Sequence, residues 1–242
     1  MTGADAIYRL ESVRHRYGDR VVLDIDRLDV ARGETLAIVG PSGCGKSTLL
    51  RLMQFLERPT SGDIWFEGRR IDAEPPLELR RRVTTVFQRP LVLNRSVLAN
   101  LTYGLHVRGV PGEPADIENV LKALGLDQVA HAPARTLSGG EVQRVAFGRA
   151  VAFKPDVLLL DEPTANLDPH NVRLVEDLIR QRQSQGVTMV LATHQIFQAR
   201  RLAHRAALIL DGQIVEIGPT HQFLDHPTDP RTKAFLSGDM IY

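Results

Sequence analysis

Cysteine is almost absent from this chain. Its one thiol, Cys44, among 242 residues cannot close an internal disulfide, so no disulfide framework supports the fold. Long hydrophobic runs are missing too: the strongest, Val157 to Leu160, is strand-sized and far below the about 18–20 residues of a membrane span. Any membrane role is therefore expected to come through a partner. The start, Met1-Thr2-Gly3-Ala4-Asp5, has neither a basic n-region nor an apolar h-region, which with the lone cysteine predicts a cytosolic location. Excess charge of one sign is also lacking. Lys+Arg number 30 against 29 Asp+Glu, a net charge of +1, so the chain is not a basic nucleic-acid arm. With 43% hydrophobic and 24% charged residues, collagen-like, disordered and coiled-coil classes are excluded. What remains is a globular chain with one large core or two lobes. Lysine is scarce, 4 of the 30 Lys+Arg, which makes each lysine informative; the scattered arginines read as genomic base composition, and the triplet Arg80-Arg81-Arg82 as a solvated helix face.

Ile7 to Arg16 and Val21 to Val30 are apolar-alternating runs around Gly18-Asp19, which predicts a hairpin in an antiparallel sheet near the N-terminus. Thr35 to Val39 has buried-strand character and is broken by a glycine-rich loop, after which Leu49, Leu50, Met53 and Leu56 predict a helix over 47–56. Pro59 to Gly62 predicts a turn, and Asp63 to Glu67 and Val83 to Phe87 predict strands. From Arg89 to Pro155 the character changes to helices, loops and prolines, which predicts a helical subdomain over 89–155 inserted into a core of 1–88 and 156–242. Val157 to Leu160, Val187 to Ala192 and Ala206 to Leu210 resume strand character, with a helix from His170 to about Gln185. Strand and helix alternate on both sides of the insert, so the fold class is α/β with a mostly parallel sheet.

The chemistry is concentrated in three places. Gly40-Pro41-Ser42-Gly43-Cys44-Gly45-Lys46-Ser47 fits Gly-x-x-x-x-Gly-Lys-[Ser/Thr], between a strand and a helix that continues with Thr48. Glycines let successive N–H groups turn around phosphate oxygens, Lys46 adds a point charge, and Ser47 offers a hydroxyl to Mg²⁺. This predicts a P-loop NTPase core. Such a cradle needs an acidic ligand at a neighbouring strand end, which Val157-Leu158-Leu159-Leu160-Asp161-Glu162 supplies. Asp161 is expected to hold Mg²⁺, directly or through water, and Glu162 to polarise the water that attacks the γ-phosphate. Leu137-Ser138-Gly139-Gly140-Glu141 opens a helix predicted over 138–152, with Val142, Val145, Ala146 and Arg149 at helical spacing. Two glycines are poor helix formers but suit close approach to an anion. One lobe could hardly bring Ser138 onto the phosphate that Lys46 holds, so this second glycine helix is expected to serve another copy of the chain.

These three motifs, in this order, resemble the ATP-binding subunit of ABC transporters, and the resemblance covers essentially the whole chain. It implies ATP and Mg²⁺ as cofactors, bound through residues 40–48, with Glu162 as catalytic base and His194 and Lys46 stabilising charge. It further implies that Tyr17 stacks on adenine, that Gln88 senses Mg²⁺ and the membrane partner beside Ser47 and Asp161, and that Asp168 lies on a loop crossing a dimer interface. Ser138, Gly139, Gly140 and Glu141 would close on ATP from the second copy. Two positions depart from the family pattern: Glu141 stands where glutamine is frequent and Asn166 where alanine is frequent. Glu141 brings another carboxylate near a phosphate and is expected to slow turnover or tune dimer closure.

The resemblance also implies a head-to-tail homodimer on the cytoplasmic face of the plasma membrane, peripheral to an integral permease and served indirectly by an extracytoplasmic substrate-binding protein. The permease is expected to dock after Gln88, where Leu91, Val92, Leu93, Val97, Leu98, Leu101 and Leu105 concentrate apolar residues, with packing of the helical insert as the alternative role for part of them. Residues 89–97 and 231–240 resemble importer subunits for inorganic oxyanions, most of all tungstate, with phosphate and polar amino-acid importers as the alternative. A non-transport ABC ATPase acting on nucleic acid or ribosomes is the competing class; one cysteine, one phosphate loop, no heptad run and near-neutral charge oppose it, so no nucleic-acid partner is expected. The intact Glu162 and His194 oppose nucleotide binding without hydrolysis. Cys44 reads as a small residue filling a tight turn, with a redox-sensing thiol as the alternative.

Overall fold

The computed structural model describes residues 6–71, 74–110, 112–165 and 167–239. Strands β1 (Ala6–Tyr17) and β2 (Arg20–Ala31) pair antiparallel across the Gly18-Asp19 turn, with Tyr17 opposite Arg20. Strand β4 (Ser61–Phe66) adds to β1, and the short β5 (Arg69–Arg70) to β4, giving the order β2-β1-β4-β5. The second sheet contains β3 (Thr35–Val39), β6 (Val83–Val86), β7 (Val157–Asp161), β8 (Thr188–Thr193), β9 (Arg205–Leu210) and β10 (Gln213–Pro219) in the order β10-β9-β3-β8-β7-β6. Its pairs are parallel except for β9 with β10. Every residue of β3, β7 and β8 is buried, which is why these strands read as apolar runs rather than alternations. The α/β class, with its antiparallel part and helical insertion, is as the sequence predicts.

Helix α1 (Lys46–Met53) lies between the sheets, and α2 (Leu77–Arg80) precedes β6. Between β6 and β7 come α3 (Val97–Arg108), α4 (Pro114–Ala123) and α5 (Gly139–Val151). Helix α6 (Pro169–Ser184) joins β7 to β8, α7 (Ile196–Leu202) joins β8 to β9, and α8 (Thr220–Asp225) and α9 (Pro230–Ser237) follow β10. One apolar cluster fills the space between the antiparallel sheet, α1 and one face of the parallel sheet; another joins the opposite face to α3–α6. Among the described residues no helix is long and apolar enough to cross a membrane.

Three expectations need correction. Helix α1 ends at Met53 rather than Leu56, because Phe55 adopts φ 61° and turns its ring onto Phe66, 5.7 Å away between centroids. Of the apolar residues after Gln88, Val97, Leu101 and Leu105 are buried in the helical layer, so they pack the protein and offer nothing to a partner. Arg82 lies beyond α2 rather than on a helix face: partly exposed, it bridges Glu67 (2.6 Å) and Asp156 (2.5 Å), tying β4's end to the start of β7.

Candidate active site

The phosphate loop leaves the C-terminal end of β3 and enters α1 through Gly45, at φ 109°. A Cβ on Gly45 would stand 2.7 Å from Leu23 Cδ2 and 2.8 Å from the Val22 carbonyl, so only glycine lets the loop lie against β2. Lys46 is 8% exposed, and its Nζ donates to the carbonyls of Gly40 and Pro41, each at 2.7 Å, which holds the ammonium inside the loop. Burial pushes the Cys44 thiol up, against the opposing pull of Lys46, so Cys44 is a neutral side chain filling the turn. That disfavours the redox alternative. The Cys44 carbonyl accepts from Gly212 N (3.1 Å), in the β9–β10 turn, and the Gly212 carbonyl accepts from Asp24 N (2.9 Å) on β2.

The acidic pair emerges beside this loop. The Ser47 hydroxyl hydrogen-bonds the Asp161 carboxylate at the end of β7; burial raises Asp161's affinity for a proton, Ser47 opposes this, and neighbouring Glu162 reinforces it. Glu162 follows at φ 49°, with its N–H on the Ala192 carbonyl (2.9 Å). That left-handed kink turns its carboxylate toward the end of β8. Oε1 accepts from the backbone N of His194 (3.0 Å) and lies 2.7 Å from His194 Nδ1. Lys46, Ser47, Asp161, Glu162 and His194 are thus gathered at one edge of the parallel sheet. A buried base beside an imidazole, next to a carboxylate with a hydroxyl ligand, can orient water and hold a divalent ion.

The remaining residues lie elsewhere. Helix α5 packs on α3, α6 and β6, whereas α1 packs on β2, β7 and β8. Glu141 does not stand as a free carboxylate: Ser138 N (2.8 Å) and Ser138 Oγ (2.7 Å) both bond Glu141 Oε2, and Glu141 N returns to Ser138 Oγ (3.4 Å). This capping box closes the glycine helix, and the Ser138 hydroxyl holds Glu141's proton affinity down. The sequence reading missed it, although Ser-x-x-Glu before an apolar run is its signature. Gly140 faces Leu167, and Asp168 caps α6 by accepting from His170 N (2.9 Å) and Asn171 N (3.0 Å). Two links also absent from that reading are Gln143 Nε2 to the Pro163 carbonyl (3.1 Å) and Gln198 Nε2 to Thr164 Oγ1 (2.8 Å). They brace the segment after Glu162 from both sides. Asn166 lies outside the described residues. Tyr17, at the end of β1, is 45% exposed, with its hydroxyl on Glu57 and its ring edge-on to His15. Gln88 is exposed, two residues beyond β6.

Beside Gln88 a groove of about 420 Å³ runs between β6, α3 and α5. Phe87, Leu91 and Tyr103 are its exposed apolar groups, with Leu91 83% exposed. Arg89 and Arg149 line it, and among the described residues no carboxylate does. Arg149 donates to the Leu91 carbonyl (2.9 Å), and Arg95 and Arg108 lie over the rings of Tyr103 and Phe153.

A family model described as "ABC transporter" matches residues 23–165. The chain is 41% identical to "Phosphate import ATP-binding protein PstB 2" of Natronomonas pharaonis, over 95% of this chain and 86% of that one. It is also 41% identical to "Probable anion import ATP-binding protein" of Haloferax volcanii, over 96% and 86% of the two chains. Among solved structures, cbiO1 from Clostridium perfringens, described as part of the ABC transporter complex cbiONQ, superposes with a TM-score of 0.81 at 30% identity, covering 92% of each chain. The chain belongs to the ABC transporter family, as an ATP-hydrolysing subunit of the importer type.

Proposed function

We propose that this subunit powers the import of an inorganic oxyanion through a separate permease, with Glu162 as the general base of ATP hydrolysis. The observation that carries the catalytic reading is Glu162 Oε1 against His194, one residue beyond the Ser47–Asp161 pair. In this reading Glu162 takes the proton of the attacking water while His194 fixes the carboxylate and faces the γ-phosphate. Lys46 leaves its loop carbonyls to neutralise the β- and γ-oxygens. Tyr17 stacks on adenine, and residues Gly40 to Thr48 wrap the phosphates.

Among the described residues no three His, Cys, Asp or Glu side chains converge on a common point. Ser47 and Asp161 offer two neighbouring oxygens, with Gln88 a third on approach. That set suits Mg²⁺, which takes few protein ligands and completes its shell with water and phosphate. Bound there, Mg²⁺ would neutralise charge developing on the phosphate oxygens.

Ser138 to Glu141 and Asp168 serve the ATP held by a second copy, closed head to tail. This accounts for a glycine-started helix whose packing partners differ from those of α1. The pair sits on the cytoplasmic face of the membrane, with the groove at Phe87, Leu91 and Tyr103 receiving a permease segment. Arg89 and Arg149, without an ion pair among the described residues, favour an amphipathic segment that carries acidic side chains. For the cargo, the relatives named for phosphate and anion import support an oxyanion; tungstate rests on the resemblance of residues 89–97 and 231–240 alone, and a relative 38% identical that is named for amino-acid import supports the alternative. Reconstitution with the permease and binding protein of the same organism, assayed for phosphate, tungstate and amino-acid uptake, tests this; uptake of a polar amino acid alone overturns it. The catalytic part is tested by Glu162→Gln, expected to bind ATP and accumulate the ATP-bound dimer; wild-type turnover in that variant removes Glu162 from the role.

A further inference from the structure

The edge of the parallel sheet opposite the phosphate loop holds another cavity, of about 370 Å³, where β7 and β8 begin and α6 ends. Arg182, in the last turn of α6, forms part of its wall. Arg182 is 8% exposed yet makes no ion pair among the described residues: Nη1 donates to Gln185 Oε1 (2.8 Å), and Nε is buried without a hydrogen-bond partner. The other arginine as deeply buried among the described residues, Arg144, also has an unpartnered Nε, but its Nη1 meets two backbone carbonyls, those of Leu124 and Gly125, and it lines no such cavity of basic side chains. Proteins pair the charges they bury, because an ion taken out of water without a counter-charge is strongly disfavoured. Among the described residues no carboxylate touches Arg182; Asp116, held by Lys154, acts on it only through its field.

The rest of the wall suits an anion. Arg32 and Lys154 also line it, paired to Glu67 and to Asp116 (2.6 Å) respectively, neither of which is part of the wall. The one carboxylate in the wall, Asp156, is occupied by Arg82 at 2.5 Å. Thr188 Oγ1 accepts from Gly33 N (2.9 Å), which leaves its hydroxyl hydrogen available to donate. We infer that this cavity binds a small tetrahedral oxyanion, with Arg182 as its counter-charge and Arg32, Lys154 and Thr188 around it. Two sources share that chemistry: phosphate released by hydrolysis, and the imported anion. The second rests on the cargo reading above; the site itself does not. A ligand here sits at one end of β7 and β8, whose far ends carry Asp161, Glu162 and His194, roughly 17 Å away for a five-residue strand.

The test keeps the phosphate loop filled. Full-length protein saturated with Mg-ADP is titrated with phosphate, and separately with tungstate, at constant ionic strength, following Tm and heat of binding. Wild type is expected to show a saturable rise in Tm. Arg182→Lys keeps the charge but loses the planar fork, and is expected to bind about tenfold more weakly. Arg182→Met is expected to lose the response while being at least as stable as wild type without oxyanion, because the buried charge it removes has no ion-pair partner among the described residues. A response to phosphate alone names the hydrolysis product as ligand, and tighter binding of tungstate names the cargo. The inference is overturned if Arg182→Met lowers Tm equally with and without anion, which would make the guanidinium only a partner of the α6 C-terminal carbonyls. It is equally overturned if the ADP-filled protein shows no saturable response, or if Lys46→Ala abolishes it.

Discussion

One oxygen of Glu162 takes both contacts from His194: Oε1 lies 3.0 Å from the backbone N and 2.7 Å from Nδ1. Oε2 is left without a hydrogen-bond partner among the described residues. A carboxylate pinned through one oxygen keeps its direction and still has a second oxygen for a water. Glu162→Gln preserves the pinning and removes the basicity. We expect hydrolysis to fall by about 10²–10⁴-fold with nucleotide affinity retained, checked by single-turnover kinetics beside equilibrium binding.

Asp161 and Ser47 share a hydrogen bond, so either substitution breaks the same ligand pair. Asp161→Asn and Ser47→Ala are expected to bind ATP in EDTA about as wild type does and to lose the added affinity that Mg²⁺ provides. Unaltered Mg²⁺ dependence in both would rule out this pair as the metal site.

Glu67 is held at about 2, from an ordinary 4.5, chiefly by its hydrogen bonds to Arg82. The folded protein binds this proton less readily than the unfolded chain does. The stabilisation is therefore complete above about pH 4.5 and disappears as pH falls through about 2. The side chain is partly exposed, so screening limits the effect. Glu67→Gln should lower Tm at pH 7 by about 2–4 °C, a gap that narrows with acidification.

Ser138 and Glu141 cap α5 reciprocally. Ser138→Ala should cost about 1 kcal/mol, roughly 2–4 °C in Tm. Glu141→Gln keeps an oxygen for Ser138 N and is expected to leave turnover unchanged. A large gain in ATPase would mean that the carboxylate was acting on phosphate after all.

Leu91→Asp and Arg149→Glu change the groove beside Gln88 without touching the phosphate loop. Both are expected to retain ATPase activity in the isolated subunit and to lose transport in the reconstituted complex. Coupled transport at wild-type rate in both variants would move the docking surface elsewhere.

What could be read in advance follows from how each element is stabilised. Strands β3, β7 and β8 are buried on both faces, so their apolar runs announce them, and the phosphate loop carries its chemistry in consecutive residues. Strand β10 is half-buried along its middle and exposed at both ends, without alternation, and gave no signal. The end of α1 is set by Phe55 packing onto Tyr8 and Phe66, a contact with residues far away in the chain. After Gln88 the sequence leaves core and docking roles undivided, because helical spacing of leucines does not say which face is inward: Val97 and Leu101 are buried in the layer that Leu91 leaves. The Glu162–His194 contact depends on a left-handed residue after β7, which only the folded backbone displays.

Surface turns ordinarily accept inserted residues at little expense. The two-residue Asp211-Gly212 turn between β9 and β10 should refuse them. A Cβ at Gly212 would stand 2.5 Å from the Val22 carbonyl, and its backbone is bonded on one side to the phosphate loop and on the other to β2. An engineer choosing a site for a tag, a fluorescent reporter or new chain ends would pick this turn from its position outside both strands and would separate the nucleotide loop from the sheet that carries Tyr17.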